Sequence, residues 1–136
     1  MKVVYIAGPY KAATEFQVKL NIRNAEIEAL WVWFNDGVAL CPHKNISGFG
    51  GANDIPDDVW TAGNIELLKR CDALYAIGRY KESPEAVAEI HFAIEHHIPV
   101  FTSRIEIMNY LANYSLLDTS EVIQNKIPME NGYQLS

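Results

Sequence analysis

The segment KVVYIAGP, residues 2–9, is a continuous apolar run that stops at a Gly-Pro pair. Runs of this kind are typical of parallel strands that are covered on both faces, because neither side of such a strand meets water. The Gly8-Pro9 pair predicts a turn directly after the strand. We therefore expect residues 2–7 to form a buried strand whose following loop lies at the carboxyl edge of a sheet.

Strands and helices are predicted to alternate along the rest of the chain. Apolar runs predict further strands at 38–41, 73–77 and 98–102, and helices are expected at 14–35, 57–70, 84–97 and 105–113, with loops at 44–54 and 78–83. This alternation indicates an α/β fold, a doubly wound parallel sheet with flanking helices in a Rossmann-like or flavodoxin-like three-layer sandwich. We expect one domain over 1–136, with its core in 2–101 and a C-terminal helical extension in 102–136.

The first helix carries many large apolar side chains. Thr14 is expected to cap it and Gly37 to end it. Trp33 falls off the main apolar stripe and is predicted to face a partner. The stripe, which we expect to pack on the sheet, contains Phe16, Leu20, Ile27, Leu30, Trp31 and Phe34 at spacings of three, four and seven.

Composition excludes several classes of protein. The 136 residues include 49% hydrophobic residues and carry a net charge of −6 without a basic run, which argues against binding to duplex nucleic acid. Two cysteines form neither a disulfide framework nor a zinc motif, and no metal or cofactor is expected. No signal peptide and no run of about 18 apolar residues is found, so we expect a cytoplasmic protein without a membrane partner.

Loops that follow the first three predicted strands are expected to converge on one pocket, and they carry the candidate functional residues. Gly8, Pro9, Tyr10 and Lys11 follow the first strand, although a Gly-Pro turn is more often purely structural. His43 follows the second strand and is either a ligand contact or a loop histidine bonded to backbone. Cys41 is expected to be a small buried apolar residue rather than a nucleophile. The glycines of 48–51 suggest either a flap or a plain surface loop, not a dinucleotide fingerprint.

The helix at 84–97, which Ser83 is expected to cap, carries two acidic residues one turn apart. Glu85 and Glu89 share a helix face near the carboxyl edge of the sheet, and repulsion between them should raise one pKa. A solvated helix face is the alternative interpretation. His91, His96 and His97 have no metal-ligand spacing and are expected to be ordinary helix residues. Trp60 is expected in the core, near enough to the second loop to cover a base.

These residues together resemble the nucleoside 2-deoxyribosyltransferase-like superfamily, and most closely a small, often phage-encoded branch of unassigned function. The resemblance covers about residues 2–101. It is carried by the ordered set Tyr5 to Tyr10, Asn21, Ala25, Pro42-His43, Trp60, Cys71-Asp72-Ala73 and Ser83 to Glu89.

The resemblance implies cleavage or transfer at the N-glycosidic bond of a nucleoside or nucleoside 5′-monophosphate. Glu89 matches the glutamate nucleophile, and Ser83 matches a position that contacts the sugar or its phosphate. Gly8, Pro9, Tyr10, His43 and Trp60 are then expected to bind substrate. A homo-oligomer, dimer or tetramer, is also implied.

Two positions depart from the family pattern. Asn64, eight residues before Asp72, stands where many relatives have an aspartate that handles the proton, and an amide cannot titrate. Glu85 stands where relatives usually have glycine, and it either supplies the missing acid or crowds the pocket. Three functions therefore stay open: a transferase or hydrolase, a nucleotide-binding protein without efficient catalysis, and an interaction module.

Overall fold

The structure is a computed structural model, and it describes residues 1–47 and 54–113. Residues 48–51, for which either a flap or a plain surface loop is expected, and the 114–136 part of the predicted C-terminal extension lie outside these ranges. In chain order the elements are β1 (Val3–Ala7), α1 (Glu15–Phe34), β2 (Val38–Leu40), α2 (Pro42–Ser47), α3 (Asp57–Lys69), β3 (Ala73–Ala76), a 3₁₀ turn (Tyr80–Glu82), α4 (Pro84–Glu95), β4 (Val100–Phe101) and α5 (104–113).

The four strands form one sheet in the order β2-β1-β3-β4, and every neighbouring pair is parallel. Tyr5 pairs with Leu40 on one side and with Leu74 on the other. The chain moves outward from β1 to β2 and then returns to the opposite side of β1 for β3. This reversal creates a crevice at the carboxyl ends of β1 and β3, where ligands bind in open α/β sheets. The predicted α/β fold with an all-parallel sheet is confirmed.

Helices cover both faces of the sheet. Alternate residues of β1 point to opposite sides, as the period of a strand requires. Val4 and Ile6 pack against α1 and α5 in one apolar cluster, whereas Tyr5 and Ala7 join the second cluster under α3 and α4. The result is three layers, which the unbroken apolar run of β1 predicts.

The apolar stripe expected to pack α1 on the sheet lies largely on the opposite side of the helix. The buried residues are Ala25, Ala29 and Val32, whereas Phe16 and Phe34 are 72% and 82% exposed. Small side chains let the helix axis approach the sheet closely, so they are favoured at the contact. Because both sides of α1 are apolar, periodicity could not decide which side is buried, and the prediction was wrong for all but Trp31, which packs against the core.

The predicted cap at the start of α1 is correct, whereas the predicted residue at its end is not. Thr14 caps the helix as expected, since its Oγ1 accepts a hydrogen bond from Gln17 N at 3.1 Å. At the other end Asp36, not Gly37, takes the left-handed backbone conformation, with φ of 64°. Gly37 is needed for close packing instead, because a Cβ there would lie 2.9 Å from side-chain atoms of Leu111 and Val32.

Polar contacts hold α5 beside α1. Arg104 donates two hydrogen bonds to the Glu28 carboxylate, at 2.9 and 2.8 Å, and Tyr75 donates a third at 2.7 Å. The Arg104 guanidinium also lies 5.3 Å from the centre of the Trp31 ring. These contacts join two helices and a strand on one face of the sheet.

Two predicted boundaries need correction. Residues 42–47 form α2, whereas a loop was expected from Lys44 onward; Pro42 suits a first helical turn, and the helix is too short to show a periodic pattern. The fourth strand contains only Val100–Phe101, because it pairs with β3 alone, at Leu74 and Tyr75. In the described ranges no helix has both the length and the apolar character needed to cross a membrane.

Candidate functional site

A cavity of about 210 Å³ opens at the carboxyl ends of the strands, between the loop after β1, α2, α3 and α4. It collects most of the candidate residues from distant parts of the chain. Its lining contains Ile6, Gly8, Tyr10, Lys11, Pro42, His43, Ile46, Asp57, Trp60, Thr61, Asn64, Ile65, Glu85, Ala88 and Glu89. We call this space the Glu89 cavity.

Glu89 lies at the inner end of this cavity, one turn beyond Glu85 on α4. Its Oε2 accepts a hydrogen bond from the hydroxyl of Tyr5, a β1 residue whose side chain is fully buried. Burial raises the pKa of Glu89 to about 7, the Tyr5 hydrogen bond opposes this, and the charge of Glu85 adds to it. The raised pKa expected from the Glu85–Glu89 spacing is confirmed, but burial rather than repulsion is its main cause.

Tyr5 is the residue that the sequence prediction missed. Burial, together with the Glu89 carboxylate, raises the pKa of Tyr5 far above its usual range, so its hydroxyl remains a donor. The available signal was its polar tip within an otherwise apolar strand, because a buried tyrosine hydroxyl needs a partner. The sequence does not show that α4 provides that partner.

Glu85 lies at the mouth of the cavity in a bridged set of charges. Lys11 Nζ lies 3.1 Å from Glu85 Oε1 and 2.9 Å from Asp57 Oδ2. Hydrogen bonds to these two carboxylates raise the pKa of Lys11 and keep it protonated. The loop after β1 is thereby connected to both α3 and α4 across the opening.

The sequence left two roles open for His43, contact with a ligand and hydrogen bonding to backbone. In the structure His43 bonds to backbone and also lines the cavity. Its Nε2 lies 2.9 Å from the Pro9 carbonyl oxygen, which fixes that nitrogen as the donor, and its side chain is 5% exposed. Burial lowers the pKa of His43, so the neutral ring is favoured near pH 7. The ring meets Tyr10 edge to face, with centroids 5.7 Å apart.

The α3 wall supplies groups suited to a planar polar ligand. Trp60 is half buried and lines the cavity instead of joining either core cluster. Asn64 lies one turn further along α3 and lines the same cavity. An aromatic surface beside an amide can stack on a base and hydrogen-bond its edge.

Two of the predicted residues, Ser83 and Pro9, have other surroundings, and Gly8 has a packing role in addition to its place in the cavity. Gly8 lines the cavity, and a Cβ there would lie 2.6 Å from Ile77 Cγ1, so packing alone requires glycine. Ser83 is 7% exposed, caps α4 through a 3.2 Å hydrogen bond from Ala86 N, and is not among the lining residues. Pro9 lines a different cavity.

That second cavity, of about 540 Å³, lies on the α1 side of the loop after β1. Lys11 borders both cavities. The loops after the first three strands were expected to converge on one pocket, but β1 lies between β2 and β3, so its loop separates their surroundings. The second cavity is lined by Pro9, Lys11, Ala12, Gln17, Asn21, Asn24, Ile77, Gly78, Arg79 and Glu82.

Neither cysteine is activated as a nucleophile. Burial raises the pKa of Cys41 and raises that of Cys71 to about 11. Within residues 1–47 and 54–113 no cluster of three His, Cys, Asp or Glu side chains is arranged to hold a metal ion. The chemistry available in the Glu89 cavity is therefore that of a buried carboxyl group with a pKa near neutrality.

No protein-family profile matches the sequence, and none of the curated proteins is significantly similar to it. The class of this protein is consequently defined by its fold and site: an α/β protein with a parallel sheet and a carboxyl-bearing cavity at the carboxyl edge.

Proposed function

We propose that the protein cleaves, or transfers at, the N-glycosidic bond of a nucleoside or nucleoside 5′-monophosphate. The observation that carries this proposal is the Tyr5–Glu89 hydrogen bond at the inner end of a cavity walled by Trp60 and Asn64. A carboxylate oriented by a buried donor is suited to attack an anomeric carbon. The aromatic and amide groups are suited to the base.

Glu89 acts as the nucleophile. Its carboxylate oxygen forms a bond to C1′ of the sugar while the C1′–N bond breaks, and the bonding electron pair leaves with the base. Water or a second base then attacks C1′, the ester bond to Glu89 breaks, and the carboxylate is restored. Two displacements retain the configuration at C1′.

The departing base also requires a proton. Asn64 cannot act as an acid, so Glu85 is the proposed donor, and the attacking water, or the N–H of the second base, returns a proton to it. Asn64 orients the base or sugar by hydrogen bonds. His43 and Tyr10 support the sugar side of the cavity. Ser83 does not line the cavity. It is proposed to help bind the sugar or phosphate indirectly, by fixing the end of α4 that it caps.

Base release from a panel of nucleosides and 5′-monophosphates, followed by chromatography, tests this function. Glu89→Gln should abolish release while ligand binding persists. Glu85→Gln should slow release by a smaller factor, about 10²–10⁴-fold for loss of a general acid. Asn64→Asp should raise the rate, because it restores a titratable group beside the base. Release that survives Glu89→Gln unchanged contradicts the proposed nucleophile.

A nucleotide-binding protein without efficient catalysis is the second candidate. It is favoured by Lys11, which lies within ion-pair distance of Glu85, and by the amide at position 64. Both features reduce the supply of protons at the base side of the cavity. Under this alternative a nucleotide raises the melting temperature, and neither the natural protein nor Asn64→Asp releases base.

The remaining expectations belong to the same proposal. The partner is a small-molecule nucleoside or nucleotide rather than duplex nucleic acid, no cofactor takes part, and the protein acts in the cytoplasm as a homo-oligomer.

A further inference from the structure

The outward side of α1 has an apolar surface that the monomer does not cover. Six positions, 16, 20, 23, 27, 30 and 34, follow one another at spacings of four, three, four, three and four. These spacings place all six on one stripe of a helix, as in the seam of a coiled coil. Five are apolar and exposed: Phe16, Leu20, Ile27, Leu30 and Phe34. We call these six residues the α1 stripe.

The spacings of the α1 stripe are the same in both directions, since they are symmetric about position 25. Its four outer residues are symmetric as well, with phenylalanine at both ends and leucine inside each end, whereas the inner pair consists of Arg23 and Ile27. A contact between two identical chains about a twofold axis needs a surface that complements itself. A stripe with symmetric spacings and matching outer residues meets that need when the second helix runs antiparallel.

We propose that two copies of this chain associate through antiparallel packing of their α1 stripes, with the twofold axis passing near position 25. Phe16 then packs on the second copy's Phe34, and Leu20 on the second copy's Leu30. The helix has 20 residues and spans roughly 30 Å, so these layers extend over its whole length. This contact would form the proposed homo-oligomer, and it does not depend on the proposed catalysis.

The charged residue of the stripe favours this orientation. In the antiparallel register Arg23 faces the second copy's Ile27, so its stem packs on an apolar side chain while its charged head keeps its polar surroundings. Within its own chain Arg23 already binds Glu26 at 2.7 Å, and the second copy's Glu26 comes within reach. A parallel pair would instead place Arg23 against Arg23, which repels. The positions beside the stripe also favour the antiparallel orientation. Lys19 would lie beside the second copy's Trp33, whose side chain is half exposed in the monomer and can form a cation–π contact.

Paired charge substitutions test both the surface and its register. The unsubstituted protein should sediment at twice the 15.3 kDa chain mass, or at a multiple of that. Leu20→Lys and Leu30→Glu should each halve the mass, because each places a charge against leucine in two layers. The double variant Leu20→Lys/Leu30→Glu should recover the larger mass, since opposite charges then meet across the axis.

Each result has a clear consequence. Positions 20 and 30 are too far apart along one helix to pair within a chain, so recovery by the double variant requires the antiparallel contact. Ile94→Glu, on an exposed apolar residue of α4, is the matched control and should leave the mass unchanged. Circular dichroism verifies that every variant is folded. A monomeric natural protein, an unaffected mass in either single variant, or a double variant that stays small would overturn the proposal.

Discussion

The hydroxyl of Tyr5, on the central strand β1, donates a hydrogen bond to the carboxyl group of Glu89, on helix α4. The two residues are 84 positions apart in the sequence. The bond stabilises the ionised form of Glu89 in a place where burial disfavours it. Glu89 therefore has a pKa of about 7. This pKa is higher than that of an exposed carboxyl group and lower than that of a buried carboxyl group without a hydrogen-bond donor.

Glu89 should make the folded protein less stable as the pH rises. Its pKa is about 7 in the folded state and 4.5 ordinarily, so the unfolded chain loses this proton first. Stability from this group is full below pH 4.5 and is lost as the pH rises through 7, by up to about 3 kcal/mol. Thermal melts should show Glu89→Gln more stable than the natural protein at about pH 8 and equal to it near pH 4. Glu95→Gln, an exposed carboxyl on the same helix, should show no such difference.

Removing the Tyr5 hydroxyl should move the titration of Glu89 upward. Tyr5→Phe deletes the hydrogen bond from Tyr5, which lowers this pKa, so we expect the pKa of Glu89 to rise. Carbon NMR of the glutamate carboxyl groups measures it without any need for activity, and the pH profile of base release should shift in the same direction. An unchanged midpoint would mean that Tyr5 only fills space.

Two glycines should respond oppositely to alanine. Gly8→Ala puts a Cβ 2.6 Å from Ile77 Cγ1 and should cost roughly 1–3 kcal/mol of the free energy of unfolding. Gly63, inside α3, has open space where a Cβ would lie, with no neighbouring atom of the described ranges within 4 Å, so Gly63→Ala should stabilise by about 0.5–1 kcal/mol. Urea denaturation compares the two. A smaller cost of Gly8→Ala in an Ile77→Ala background than in the natural protein would assign the loss to this contact.

The Glu28–Arg104 contact should stabilise the association of α5 with α1. Arg104→Met removes two hydrogen bonds to a carboxylate and should cost roughly 1–2 kcal/mol. These bonds lower the pKa of Glu28, so their contribution is present above its unfolded value and is lost as the pH falls through the folded value. Arg79→Met, whose 3.9 Å contact with Glu82 joins two exposed side chains, should change little at any pH.

Ser83 should matter through the helix that it caps. Ser83→Ala loses the hydrogen bond from Ala86 N and should cost about 1 kcal/mol, whereas Ser83→Asp keeps an acceptor and should preserve stability. Chemical denaturation of the natural protein and of both variants measures these changes in the free energy of unfolding. Equal losses in the two variants would contradict a capping role.

The apolar runs of the sequence were sufficient to predict the layers and the parallel strands. KVVYIA has no polar side to present to water, so only a position covered on both faces suits it, and the helix caps Thr14 and Ser83 follow from short-range hydrogen bonding. Local rules also placed Glu85 and Glu89 on one face of a helix near the sheet edge.

Tertiary structure decided which side of helix α1 is buried and which side chains of the sheet and the helices come into contact. Helix α1 has apolar residues on two opposite sides, and only the close approach permitted by Ala25 and Ala29 selects the buried one. Tyr5 meets Glu89 because β1 occupies the centre of the sheet directly under α4, a consequence of strand order that no local pattern contains. The sequence determined which functional groups are available at the carboxyl edge of the sheet. The position of β1 between β2 and β3 determined how those groups are distributed between the two cavities.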